Sequence, residues 1–171
     1  MHTFGVGGTL GKTTTSFLLA SILKAAGQRV GSTNTISYHD GGQATPAHRS
    51  TPRAPEMADW LARMVANGCG SAVLELSNES LARRQTAGVE LDAAIITNVG
   101  RGQPHGFGSA RNLRRIQSRL LDHLKPDGFA VFNADDTSGE FLRSEFDRPA
   151  ITIGLHSDAE LTATVIERFP S

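Results

Sequence analysis

Apolar positions along this chain alternate between short continuous runs and helical repeats. Residues 2–6 form a first strand that runs into a glycine-rich turn. Residues 12–26 predict a helix, with Leu18, Ile22 and Ala25 at helical spacing, Leu19 and Leu23 widening the stripe, and Gly27 as the stop. A short strand follows at 28–31. Residues 32–55, rich in Gly, Ser, Thr, Pro and His, read as a long functional or mobile loop. Residues 56–67 predict an amphipathic helix whose Met57, Trp60, Leu61, Met64 and Val65 share a core-facing side, ended by Gly68.

The second half continues in the same manner. Residues 71–76 read as a buried strand, 78–87 as a short helix and 92–97 as another apolar strand. Residues 100–108 form a second glycine-rich loop. Leu113, Ile116, Leu120, Leu121 and Leu124 then repeat at helical spacing, ending before Pro126. Residues 129–132 and 150–153 are buried strands, and 161–166 is a further strand candidate. The repeated strand–helix order implies an α/β fold, a mostly parallel sheet flanked by helices on both faces.

Composition narrows the function classes. A length of 171 residues suits a single domain spanning 1–171. Seventeen Lys and Arg balance seventeen Asp and Glu, so net charge does not point to nucleic acid or an anionic membrane. The arginines do cluster locally, at Arg111, Arg114, Arg115 and Arg119. The single cysteine, Cys69, excludes an internal disulfide and reads as a small packing residue rather than a catalytic thiol. No apolar run reaches the roughly 18 residues of a membrane span, and no signal peptide precedes the first strand, so a cytoplasmic location is expected. With the glycine loop starting so near Met1, the chain is expected to be either naturally minimal or cut from something longer.

The chemistry starts at Gly8-Thr9-Leu10-Gly11-Lys12-Thr13-Thr14, where a strand turns into a helix. That is the context of a phosphate loop: glycines let backbone N–H groups close on phosphate oxygens, and the helix N-terminus favours the negative charge. Lys12 is placed to reach the β and γ phosphates of ATP, and the Thr13 hydroxyl to ligate Mg²⁺. The strict pattern asks for glycine at position 6, where Val6 stands. Glu75, near the C-terminal end of a buried strand, reads as a Mg²⁺ ligand or as a strand-end carboxylate paired with an arginine. Asn133-Ala134-Asp135-Asp136 follows another strand, either as an ordinary turn or as part of the site.

Taken together, the loop Gly8–Thr15, Leu74-Glu75-Leu76-Ser77, Thr97-Asn98 and Asn133-Ala134-Asp135-Asp136 resemble the central ATPase domain of the Mur ligases, most of all the UDP-N-acetylmuramoyl-tripeptide synthetases. The likeness covers nearly the whole chain and accounts for Val6. It implies an ATP-dependent amide ligase of cell-wall precursor synthesis, in which a substrate carboxylate attacks the γ-phosphate and an amine captures the product. By that likeness Lys12 and Glu75 are catalytic, and Gly8, Thr9, Gly11, Lys12, Thr13, Thr14 and Asn133 bind the nucleotide, Asn133 at the adenine. Thr13, Glu75 and His105 are its candidate metal ligands, and Ser50 and Thr51 touch a UDP-muramoyl-type substrate.

The departures from that family matter too. Leu10 stands where asparagine is usual. Without gaps, Phe107 falls on the family's metal-binding histidine, whereas a two-residue gap puts His105 there. Gln117 falls on a lysine that is carbamylated to help bind a second Mg²⁺. The family's N-terminal sugar domain and C-terminal amino-acid domain do not fit in this length, so the chain alone is expected to complete no ligation. Two rival readings stand beside the ligase: a non-catalytic nucleotide-binding or regulatory module of ligase descent, and an unrelated P-loop ATPase.

Overall fold

The structure, a computed structural model, describes residues 1–100, 107–156 and 158–164. Nine strands form one sheet in the order β4-β3-β2-β5-β1-β6-β7-β8-β9. The central strands are β1 (His2–Gly7), β2 (Val30–Thr33), β5 (Ser71–Glu75), β6 (Leu91–Ile96), β7 (Leu124–Asn133) and β8 (Ala150–Gly154), all parallel. At one edge β3 (Ser37–His39) and β4 (Ala44–Pro46) add on antiparallel, and at the other β9 (Leu161–Thr162) pairs parallel with β8.

Side chains alternate across the sheet and define two unequal layers. On one face Ala72 and Leu74 of β5, Ala94 and Ile96 of β6, and Ala130 and Phe132 of β7 are buried. Over them lie α2 (Ala54–Ala66), α3 (Asn78–Ala82), α4 (Ala110–Ser118) and α5 (Thr137–Ser144), through Met57, Trp60 and Met64, Leu81, Leu113 and Ile116, and Leu142. On the opposite face α1 (Lys12–Ala25) covers Val6, Val30 and Val73. Helices thus lie on both faces, as the strand–helix order implies.

Several elements differ from the sequence reading. The stretch 32–55 is not one loop: it completes β2, forms the β3–β4 hairpin and begins α2. Tyr38 of that hairpin is 1% exposed, stands edge-on to Trp60 and donates its hydroxyl to the Arg49 carbonyl at 2.5 Å. The expected outward limits of two helices also contract. α3 stops at Ala82, and α4 stops at Ser118, followed by a 3-10 turn at Leu121–His123 and then β7. β7 includes Pro126 because its register against β6 shifts there, so the missing N–H breaks no ladder bond. On α1, Leu18 and Ile22 face outward, 60% and 64% exposed, while Ser16 and Ala20 are buried. Small side chains bring this helix close to the sheet, with Leu19 and Leu23 packing at its flanks. Val65 of α2 is likewise exposed rather than core.

Candidate functional site

Parallel strands β1, β5, β6 and β7 end on the same edge of the sheet, and the sequence motifs meet there. The β1–α1 loop turns sharply through Gly8, with φ 129°, and Gly11, with φ 81°, both in the region favouring glycine. A Cβ on Gly8 would lie 2.0 Å from Thr97 Oγ1 and close to the Asn98 backbone, so glycine is required for the loop to nest against the end of β6. A Cβ on Gly11 would meet nothing within 4 Å, which leaves the outer side of the loop open to a ligand.

Asn98 holds that loop in shape. Its Oδ1 accepts from the Leu10 N–H at 3.1 Å and its Nδ2 donates to the Leu10 carbonyl at 2.9 Å. The Thr97 hydroxyl adds a bond to the same carbonyl at 2.7 Å, and the Thr9 N–H donates to the Asn98 carbonyl. α1 begins at Lys12 with no acidic residue in its first turn and no side-chain cap. Its first N–H groups have no intrahelical partner and, with the helix dipole, favour an anion.

Lys12, Thr13 and Glu75 converge although 62 residues separate the last two. The Thr13 hydroxyl donates to Glu75 Oε2 at 2.9 Å, and Lys12 Nζ donates to the Thr9 carbonyl at 3.1 Å. Burial lowers the Lys12 pKa from its ordinary value, and the neighbouring Glu75 carboxylate acts in the opposite sense. Glu75 is 1% exposed. Its hydrogen-bond donors are not arginines: besides Thr13, the Thr35 N–H reaches Oε2 at 3.0 Å and the Thr35 hydroxyl reaches Oε1 at 2.8 Å. Thr35, in the β2–β3 turn, escapes sequence reasoning because nothing in its local sequence marks it.

Ser50 and Thr51 reach the same edge, but the Thr51 hydroxyl is committed to the scaffold. It donates to the Glu75 carbonyl at 2.8 Å and accepts from the Ser77 N–H at 2.9 Å, and Thr51 is only 5% exposed. Thr14, at the start of α1, is exposed and Ser50 half-buried. The candidate ligand His105 lies outside the described residues. Phe107 packs against the main core and accepts from Asn112 Nδ2 through its carbonyl, so that position offers a ring where the resemblance places a metal-binding imidazole. Gln117 is fully buried, its Nε2 hydrogen-bonded to Asn78 Oδ1, while its Oε1 has no partner among the described residues. Also among the described residues, no group of three or more His, Cys, Asp or Glu could hold a metal.

Across the loop from Glu75 lies a cleft of about 600 Å³, bordered by Leu10, Asn98, Asn133, Asp135, Leu155 and His156. Asn133 is there, as expected, but its amide is engaged: Nδ2 donates to the Thr97 carbonyl at 3.0 Å and Oδ1 accepts from the Asp135 N–H at 2.9 Å. Asp135 accepts from the Leu155 and His156 N–H groups, at 2.6 and 3.1 Å. Asp136, 4% exposed, caps α5 by accepting from Gly139 N–H at 2.9 Å and also binds the Val99 N–H at 2.8 Å. An aspartate placed before Thr137-Ser138-Gly139-Glu140 is a helix-start signal that could have revealed α5 in the sequence.

Comparison with known proteins identifies the family and the fold. Residues 6–171 match the model of the Mur ligase middle domain. The UDP-N-acetylmuramoyl-L-alanyl-D-glutamate--2,6-diaminopimelate ligase of Parabacteroides distasonis is 31% identical over 163 residues, covering 95% of this chain and 34% of its own length. The UDP-N-acetylmuramyl-tripeptide synthetase of Deinococcus radiodurans is 38% identical over 135 residues, covering 77% of this chain and 27% of its own. The chain thus spans about a third or less of the relatives it matches. Among solved structures, a UDP-N-acetylmuramoyl-L-alanyl-D-glutamate--2,6-diaminopimelate ligase superposes with a TM-score of 0.80 at 23% identity, over 95% of this chain and 34% of that one. The MurF ligase from Thermotoga maritima, solved in complex with ADP, gives 0.62 at 22% identity, over 91% and 33%. The chain belongs to the Mur ligase family and matches its middle domain.

Proposed function

We propose that residues 1–171 form the nucleotide-binding domain of an ATP-dependent amide ligase acting on peptidoglycan precursors. The observation that carries this reading is the convergence of Lys12, Thr13 and Glu75 beside an open glycine loop at the N-terminus of α1. The residues fit Mg·ATP. Gly8, Thr9, Gly11 and Thr14 line the loop that takes the phosphates, and Lys12 adds a cation. Thr13 and Glu75 supply two hard oxygen ligands for one Mg²⁺, a cation that commonly takes one or two protein groups and completes its shell with phosphate and water. The cleft holding Asn133 takes the nucleoside.

Bound Mg·ATP supplies the phosphoryl group that activates an acid for amide formation. The chain's own part is positioning and charge neutralisation. Thr35 fixes the Glu75 carboxylate through two hydrogen bonds, and Asn98 and Thr97 fix the loop. Ser50 lies where a UDP-muramoyl-type substrate would be contacted, with Thr51 anchoring that segment to the end of β5. The name of the Parabacteroides distasonis relative specifies diaminopimelate addition for that protein, and the reaction class rather than that amino acid is extended here. Among the described residues no helix is long and apolar enough to cross a membrane. We place the domain in the cytoplasm, with neither nucleic acid nor membrane as partner.

A second reading, a nucleotide-binding module without turnover, is favoured by Gln117 and Phe107. One is hydrogen-bonded to Asn78 and the other, partly buried, packs against the core, at positions where the resemblance, aligned without gaps, puts groups for a second cation. Calorimetry with MgADP tests the binding claim common to both. A lysine–phosphate contact is worth about 1.5–3 kcal/mol, so Lys12→Ala is expected to weaken binding roughly 10- to 100-fold. Equal affinity for wild type and variant would sink the proposal. Steady-state ATP hydrolysis then separates the two readings.

A further inference from the structure

Among the described residues, the hydrogen bonds to the buried Glu75 carboxylate come from two threonines of unequal standing. Thr13 gives one, from its hydroxyl to Oε2, but Thr13 is itself a candidate ligand. It shares a cation with Glu75 rather than standing behind it. Thr35 gives two, its N–H to Oε2 at 3.0 Å and its hydroxyl to Oε1 at 2.8 Å. One bond to each oxygen fixes the plane of the carboxylate as well as its position. The turn that carries Thr35 is built without the threonine side chain. Asn34, 1% exposed, accepts the Ile36 and Ser37 N–H groups on Oδ1 at 2.9 and 3.0 Å, and its own N–H donates to the Ser37 carbonyl at 3.1 Å. The Ile36 carbonyl takes the Ala47 N–H at 3.0 Å, which ties the turn to the end of β4. An asparagine closing its own turn in this way presets the path of the backbone around Thr35. Thr35 itself is exposed, so its hydroxyl fills no space in the core.

We infer that Thr35 is a positioning residue for the cation. It holds Glu75 ready to ligate Mg²⁺, so affinity for the metal is set from the β2–β3 turn as well as from the phosphate loop. The inference rests on the Mg·nucleotide reading above and deepens it. Mg²⁺ demands near-ideal placement of the few protein oxygens it takes. Groups that hydrogen-bond a ligating carboxylate are accordingly worth about 10- to 100-fold in metal affinity. Without the Thr35 hydroxyl, Oε1 keeps no donor among the described residues, and the carboxylate can turn about the bonds to Oε2. The Asn34 bonds, which involve no part of the Thr35 side chain, keep the turn itself in place.

The test is calorimetric titration of the full chain with ADP, across a series of Mg²⁺ concentrations and in EDTA, for wild type, Thr35→Val and Thr35→Ser. Valine keeps the branched shape without the hydroxyl, and serine keeps the hydroxyl. Wild type is expected to bind ADP more tightly as Mg²⁺ is added. Thr35→Val should need roughly 10- to 100-fold more Mg²⁺ to reach half of that gain. Its affinity in EDTA should be unchanged, and Thr35→Ser should restore the wild-type Mg²⁺ requirement. A valine variant with the wild-type requirement overturns the inference, as does one that weakens ADP equally with Mg²⁺ and in EDTA. A serine variant that behaves like valine also overturns it. Should the valine variant fail to fold, Thr35→Ala takes its place under the same criteria. If wild type gains nothing from Mg²⁺, this inference and the cation half of the reading above both fall. The phosphate-loop half then stands if Lys12→Ala weakens ADP binding in EDTA.

Discussion

Replacing Thr51 by valine separates a scaffold role from a substrate role for the Ser50–Thr51 segment. Valine keeps the branched shape and exchanges the hydroxyl for a methyl. Two hydrogen bonds of 2.8 and 2.9 Å are lost, and the Glu75 carbonyl and the Ser77 N–H lose a partner at a residue only 5% exposed. Each bond contributes about 1 kcal/mol net, and a donor left unpaired in a partly buried place costs a further ~1–3 kcal/mol. A loss of at least about 3 kcal/mol is expected, which for a domain of this size lowers the Tm by roughly 6–12 °C or more. Differential scanning fluorimetry measures this directly, with Thr51→Ser as the variant that restores the hydroxyl and Ser50→Ala as a neighbouring control. If Thr51→Val melts within about 2 °C of wild type, the hydroxyl is not structural and the geometry has been misread.

Other outcomes follow from separate features. The Asp92 carboxyl is raised by partial burial but lowered more by Lys125, by the Thr3 N–H and hydroxyl, and by His2, leaving it well below the usual carboxylate range. Its contribution to stability is therefore complete above an unfolded pKa near 3.8 and is lost as the pH falls below that value. Denaturant melts should show wild type and Asp92→Asn separated by a constant gap at neutral pH that narrows in acid; a gap independent of pH refutes this. Arg84 is the sole non-glycine with positive φ among the described residues, at 53°. Arg84→Gly should stabilise the fold by about 1 kcal/mol, read as a higher urea midpoint. Crystals with an ATP analogue should show one Mg²⁺ between Thr13 and Glu75; a second ion against Gln117 would contradict the single-cation reading.

Much of the fold is legible in the sequence where burial is continuous or strongly periodic. β5 and β6 carry the apolar runs Ala72–Leu74 and Ala93–Ile96, and Met57, Trp60 and Met64 mark the inner side of α2, although the same spacing counts the exposed Val65 with them. On α1 the same rule picks the wrong side, because periodicity counts large apolar residues while the sheet selects Ser16 and Ala20 for close approach. The β3–β4 hairpin is hidden because each strand has three residues and its Gly, Thr and His content matches a loop. In the site, Lys12 and Thr13 are visible as a local motif and Glu75 by its place at a strand end. Thr35 and the cleft-lining Leu155 are not visible, since they arrive through tertiary contact across the sheet's edge.

The two-point grip of Asn98 on residue 10 separates the shape of the loop from the chemistry it displays. Because the N–H and the carbonyl of Leu10 are both held by the Asn98 amide, and the carbonyl again by Thr97, the loop's path does not depend on the side chain at position 10. That side chain is free to drift, in evolution or by design, without disturbing the phosphate-facing backbone. Position 10 is thereby an adjustable element in a loop whose backbone is held from β6, and the leucine found there is a side chain that such an arrangement permits.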